Sequence, residues 1–202
     1  MTTCVCVASG PSLTVEQCEQ VAAAQSAGKC HVLVVNDNWR RLPNADVLYA
    51  ADGKWWNRYW PEIESGFHGE CWTQDADAAK RYGLCFMRSQ GKPGLSRDPT
   101  VIHGGQNSGY QAIGLVYHFG ARKIILVGYD MMREGGKKNG KAHWFGNHPQ
   151  GFGNAIHPQS WAPHYVRLGA DLQSEGVTIV NCTITTALQW PRADLAATLT
   201  AL

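Results

Sequence analysis

The chain has no Cys-x-x-Cys pair, and its seven cysteines are an odd number: Cys4, Cys6, Cys18, Cys30, Cys71, Cys85 and Cys182. That argues against both a disulfide framework and a thiolate zinc site. No run approaches the ~20 apolar residues of a membrane span, and no basic segment followed by a long apolar stretch marks a signal peptide. Charge of one sign is also lacking: the net charge is +2, so no polyanion-coating surface is indicated. The patterns G-x-G-x-x-G, G-x-x-x-x-G-K-[ST] and G-x-S-x-G do not occur. Dehydrogenases of the usual type, P-loop kinases and α/β-hydrolases are thereby disfavoured. The expected setting is cytoplasmic, with reduced thiols.

What is present suits a globular protein, since 44% of residues are hydrophobic and only 17% charged. At 202 residues the chain is most simply one domain spanning 1–202. Short, unbroken apolar runs lie at Cys4–Ala8, Val32–Val35, Val47–Ala50, Leu84–Met87, Ile124–Val127 and Val177–Val180. Unbroken rather than alternating, they predict strands covered on both faces. Helical segments are expected between them, among them Gly109–Phe119, Trp161–Glu175 and Ala193–Leu202. The implied fold is α/β, Rossmann-like and doubly wound, with a mostly parallel sheet and helices on both faces.

The first strand breaks into Ser9-Gly10-Pro11-Ser12, and Thr14 and Gln17 then have capping-box spacing. The turn therefore lies where a strand's carboxyl end meets a helix N-terminus, a setting that binds phosphates. A plain βα connection is the alternative. Polar clusters follow other strands in the same way: Asn36-Asp37-Asn38, Asp52-Gly53, Gly128-Tyr129-Asp130 and Asn181. Singly these are turn residues, but parallel strands bring all their carboxyl ends to one edge. A second candidate phosphate or sugar contact is Gly104-Gly105-Gln106-Asn107-Ser108-Gly109-Tyr110, with Ser108 expected as the N-cap of the next helix.

Two stretches depart from this rhythm. Trp55, Trp56, Tyr59 and Trp60 crowd six residues, read as core packing or as an aromatic wall for a flat ligand. The segment from about 133 to 160 is rich in Gly, Lys, Asn and His and is expected to be a mobile lid or substrate loop. It holds His143, His148 and His157, with His164 just beyond, and an imidazole there would serve as general base. No H-E-x-x-H or comparably tight spacing marks a metal site.

In order along the chain, these motifs resemble two related groups. One is the bacterial sialyltransferases of glycosyltransferase family forty-two; the other is the archaeal 6-hydroxymethylpterin diphosphokinase type. As a whole the chain is similar to small proteins encoded by tailed phages and prophages near these groups, which implies the cytoplasm of a bacterial host. The resemblance implies a nucleotide or sugar-nucleotide donor held by Ser9, Gly10, Ser12, Asn36, Asp52, Asn107, Ser108 and Gly109. It implies His148 as catalytic base, with His143 and Asp130 beside it. The acceptor would be a sugar, a metabolite or a modified DNA base, and a homo-oligomer is compatible with the sequence. In the diphosphokinase branch Asp52 and Asp130 would hold Mg²⁺. A third reading is a phage protein that sequesters a nucleotide without turnover. Three positions depart from the sialyltransferase pattern: Ser9 and Asp52 replace asparagines, and Met132 replaces the tyrosine that supports the leaving phosphate. Tyr129 or the lysines at 137, 138 and 141 are the expected substitutes for that tyrosine.

Overall fold

A computed structural model describes residues 2–154 and 157–202; of the expected 133–160 loop, residues 155 and 156 lie outside the described residues. The elements run β1 (Thr3–Val7), α1 (Val15–Ser26), β2 (His31–Val35), β3 (Val47–Tyr49), α2 (Gly53–Gly66), β4 (Glu70–Thr73), α3 (Ala76–Tyr82) and β5 (Cys85–Phe86). They continue with β6 (Arg88–Gln90), β7 (Val101–His103), α4 (Ser108–His118), β8 (Lys123–Val127), α5 (Ala162–Ser174), β9 (Thr178–Asn181) and α6 (Leu195–Thr200). Seven strands form one sheet in the order β5-β4-β3-β2-β1-β8-β9, and all its pairings are parallel. β6 and β7 make a separate parallel pair.

The apolar runs become strands because each is sandwiched. In β1, Val5 and Val7 pack into the layer holding α1 and α2, while Cys4 and Cys6 face the layer holding α4 and α5. All four are fully buried. The capping box forms: Thr14 Oγ1 accepts the Gln17 N–H at 3.1 Å, and Gln17 Oε1 accepts the Thr14 N–H at 3.4 Å. The tryptophan cluster is core. Trp55, Trp56 and Tyr59 lie on the buried face of α2, and the Trp56 indole N–H donates to the Ala50 carbonyl at 3.0 Å.

Three expectations need correction. The run at Leu84–Met87 is not one strand: Cys85–Phe86 closes the large sheet and Arg88–Gln90 pairs with β7 instead. β4, β6 and β7 were not anticipated, because segments such as Glu-Cys-Trp-Thr carry neither an apolar run nor strict alternation and owe their state to a neighbouring strand. Finally, α4 is not capped by Ser108. Asn107 is the cap, its Oδ1 accepting the Tyr110 N–H at 2.9 Å, and Ser108 is the first helical residue. Asparagine outcompetes serine here because its Oδ1 also receives the Tyr165 hydroxyl at 2.8 Å. All seven cysteines are free thiols, and burial pushes Cys71 up to about 12 and Cys30 up to about 11. No helix among the described residues is long and apolar enough to cross a membrane.

Candidate functional site

The chain moves outward from β1 through β2 to β5, then returns to build β8 and β9 on the other side. The strand order therefore reverses between β1 and β8, the position at which open α/β sheets place their ligand crevice. Hydrogen bonds run past the strand ends there: the Ala8 N–H donates to Val127 O and the Gly10 N–H to Gly128 O, both at 2.9 Å. A Cβ at Gly10 would collide with Asp130 Oδ1 and the Gly128 carbonyl, so only glycine allows this approach. Beyond these turns opens a cavity of about 400 Å³, within the size range of small-molecule sites.

Ten of the expected residues meet on its wall: Ser9, Gly10, Asn36, Asp52, Asn107, Ser108, Gly109, Asp130, His143 and His148. Ser12 is not among them. Its N–H donates to Asp130 Oδ2 at 2.9 Å, and its hydroxyl accepts the Thr185 N–H at 3.4 Å. With the Gly10 N–H on Gly128 O and the Leu13 N–H on Gly10 O, the opening turn has spent several of its backbone donors inside the fold. The start of α4 has not. The Ser108 and Gly109 N–H groups and the Ser108 hydroxyl have no partner among the described residues, and they face the cavity at the positive end of an 11-residue helix. The anion-binding potential thus lies at the second turn more than at the first.

The other strand-end clusters divide between site and scaffold. Asn38 is fully buried, its Nδ2 donating to Val7 O and Val35 O at 2.9 and 2.8 Å. Asp37 accepts the Trp55 indole N–H at 3.0 Å. Asn181 is turn chemistry away from the cavity, its Oδ1 accepting the Thr183 N–H at 3.0 Å. Asp52 holds the N-cap position of α2 without making a capping bond, which leaves its carboxylate to the cavity. Met132 lines the wall, as its place after Asp130 suggests, but the expected substitutes for the tyrosine do not. Tyr129 is buried with its hydroxyl donated to Gly109 O at 3.1 Å, and none of the three lysines reaches the wall.

The loop after β8 is fastened over the crevice. Trp144 donates its backbone N–H to Ser9 O at 3.2 Å and its indole N–H to Asn38 Oδ1 at 2.8 Å, with Arg41 lying 3.6 Å above its ring. Backbone bonds between His143 and Gly146 in both directions, each 2.9 Å, tighten the turn. That brings the imidazoles of His143 and His148 to 4.5 Å between centroids. His143 Nδ1 lies 3.2 Å from Ser9 Oγ, whereas His143 Nε2 and His148 Nδ1 are buried without a partner. Burial, reinforced by the neighbouring His148, lowers the His143 imidazole to about 4. Burial lowers His148 as well, but the carboxylates of Asp37 and Asp52 oppose the drop. Burial raises the Asp130 carboxyl to about 6, with Oδ1 unpartnered. His157 is exposed and lies on neither this wall nor the next cavity.

Among the described residues the non-glycine positions with left-handed backbone are Asn36 (φ 51°), Gln106 (φ 67°) and Met131 (φ 50°). All three line this cavity. Such conformations cost about 1–3 kcal/mol each and concentrate at functional sites. No group of three or more His, Cys, Asp or Glu among the described residues is arranged to hold a metal ion; Asp52 and Asp130 are the carboxylates on the wall.

The fold matches a solved structure described as "Structure of MAf glycosyltransferase from Magnetospirillum magneticum AMB-1", with a TM-score of 0.64 at 12% identity. The likeness is one of fold. The match covers 99% of this chain but 36% of that one, so the chain spans about a third of the length of that protein. No protein-family model matches the sequence, and no curated protein does.

Several wall residues escaped sequence reasoning: Met131, Asn154, Pro158 and Trp161. Gln106, which belongs to the contact segment expected from Gly104 to Tyr110, does line the wall. Trp161 lies 34 residues beyond Val127, the end of β8, and no local pattern ties it to the sheet edge.

Proposed function

We propose that the chain is a nucleotide-dependent transferase of glycosyltransferase type, with the donor in the cavity between β1 and β8. The observation that carries this is the convergence of two half-buried imidazoles, both lowered by burial, with the free N–H groups of α4 on a single cavity at the sheet's switch point. The donor's phosphate would accept hydrogen bonds from Ser108 and Gly109, with Ser9 and Asn36 contacting the rest of the donor. His148 acts as base. It removes the proton of an acceptor hydroxyl as that oxygen bonds the donor's anomeric carbon. The bond from that carbon to the phosphate oxygen breaks, and the nucleotide leaves with the electron pair. His148 suits the role better than His143, because Asp37 and Asp52 favour its protonated form whereas His143 is lowered to about 4. With Met132 in place of the phosphate-side tyrosine, the developing charge rests on α4 and its Ser108 hydroxyl.

The presence of both Asp52 and Asp130 on one wall favours, as a second reading, Mg²⁺-dependent diphosphate transfer to a small hydroxyl substrate. A thermal-shift panel of nucleotides and sugar nucleotides, with and without Mg²⁺, separates the two. Cytidine-type donors raising Tm without metal support glycosyl transfer, and a strict Mg-ATP or Mg-GTP requirement overturns it. For the base, His148→Ala is expected to abolish turnover and leave donor affinity nearly unchanged; loss of both, or of neither, refutes the role.

A further inference from the structure

A second cavity of about 580 Å³ lies beyond a wall that it shares with the first, made of Asp52, Gln106, Asn107 and Ser108. The hydrogen bonds on its floor have a direction. Tyr49 is fully buried, and burial holds its hydroxyl far above the usual phenol range, so it stays protonated. That hydroxyl donates to Gln111 Oε1 at 3.0 Å. The Gln111 amide must then turn its NH₂ outward, donating to Gln74 Oε1 at 2.8 Å and Ser89 Oγ at 3.2 Å. Gln74 and Ser89 thus meet Gln111 through oxygen and keep an N–H and an O–H, which have no partner among the described residues. Both side chains line the cavity.

Lys92 also stands on this wall, with no hydrogen bond or ion pair among the described residues. No Phe, Tyr or Trp among the described residues lines the space, and the imidazole of His164 is its one aromatic ring. Its one carboxylate, Asp52, stands on the shared wall. A floor of donors with a cation at its edge is complementary to a concentration of acceptor oxygens.

We propose that this second cavity binds the oxyanion of a small hydroxylated molecule, a phosphate or a carboxylate. The Gln74 amide, the Ser89 hydroxyl and the Lys92 ammonium hold the charged group, and the hydroxylated part extends toward Asp52. If the transferase reading holds, this is the acceptor's site and the acceptor carries a phosphate or carboxylate. The binding itself does not require that reaction.

The test is an NMR titration of the whole ¹⁵N-labelled chain with glucose 6-phosphate, glucuronate and uncharged glucose. The Gln74 side-chain amide and the backbone amides of Gly104 and Gly105 are expected to shift with one or both charged sugars and not with glucose. Which of the two acts names the phosphate or the carboxylate as the recognised group. Lys92→Met, at an exposed position, is expected to weaken binding roughly tenfold or more. Gln74→Glu keeps the acceptor for Gln111 but replaces the free donor with negative charge, and is expected to abolish binding, read at Gly104 and Gly105. Equal shifts with glucose, shifts confined to Ser108 and Gly109, or no shift with any sugar overturn the proposal. Nucleotide binding in the first cavity is read separately by the thermal-shift panel, so failure of the transferase reading and failure of this site are distinguishable.

Discussion

His143 and Asp130 line one cavity but respond to acid in opposite senses, which makes the pH dependence of stability a sharp test of their burial. His143 is lowered from 6.5 to about 4 in the folded protein, so its contribution is fully present above pH 6.5 and is lost as pH falls through 4. Asp130 is raised from 3.8 to about 6, so its contribution is present below pH 3.8 and is lost as pH rises through 6. Between pH 7 and pH 5 the unfolded chain protonates His143 while the folded chain does not, which removes about 2 kcal/mol of stability. Over the same interval the folded chain takes up a proton at Asp130 that the unfolded chain does not, which restores about 1 kcal/mol. The wild type should therefore show only a small net loss, under about 1 kcal/mol, from these two groups together. Asp130→Asn should deepen the loss to about 2 kcal/mol, and His143→Gln should convert it to a gain of about 1 kcal/mol. Urea unfolding at the two pH values measures each slope. Comparing slopes cancels the constant cost of each substitution and the titration of distant groups. If His143→Gln leaves the wild-type slope unchanged, the imidazole is not held neutral by burial and its place in the site is refuted.

Other substitutions separate scaffold from site. Asn107→Ala should cost about 1–2 kcal/mol, because it removes the cap of α4 along with the partner of the Tyr165 hydroxyl, measurable by urea unfolding. Ser108→Ala should stay within about 0.5 kcal/mol in the same assay yet lower donor affinity by calorimetry; equal stability losses for the two would place the cap wrongly. Gly10→Ala should destabilise by roughly 2–4 kcal/mol, since its Cβ would press on Asp130 and the Gly128 carbonyl, and a wild-type Tm would refute that close approach. Trp144→Ala removes the bond to Asn38 and the Arg41 contact, and should speed limited proteolysis between residues 133 and 154 without lowering global stability to a like degree.

Much of this architecture was legible in local pattern. Runs such as Cys-Val-Cys-Val become buried parallel strands because an unbroken apolar segment satisfies two helix layers at once, and the Thr14–Gln17 box forms because its partners are three residues apart. The strand ends could be listed as site residues without knowing which strands are neighbours, since all parallel strands deliver their carboxyl ends to one edge. Strands β4, β6 and β7 were not legible, because their state depends on a partner strand rather than on their own composition.

The division of labour at the strand ends was a tertiary decision. Sequence alone marked Ser9–Ser12, Asn36–Asn38, Asp52, Gly128–Asp130, Asn181, Asn107–Gly109 and the two loop histidines as polar groups near one edge. It determined an α/β chain with a crevice rich in hydrogen-bonding groups. Whether a given donor faces a ligand or a neighbouring loop depends on who stands opposite it, and those partners are remote in the chain. Asp130 takes the Ser12 N–H from 118 residues away, Trp144 takes Asn38 Oδ1 from 106, and Tyr165 takes Asn107 Oδ1 from 58. A hydrogen bond reaches only about 3 Å, so each such bond is set by packing of the whole sheet and its layers rather than by local order. That packing left the start of α4, the two loop imidazoles and the donor-lined second cavity open, and spent several backbone donors of the Ser9–Ser12 turn inside the fold.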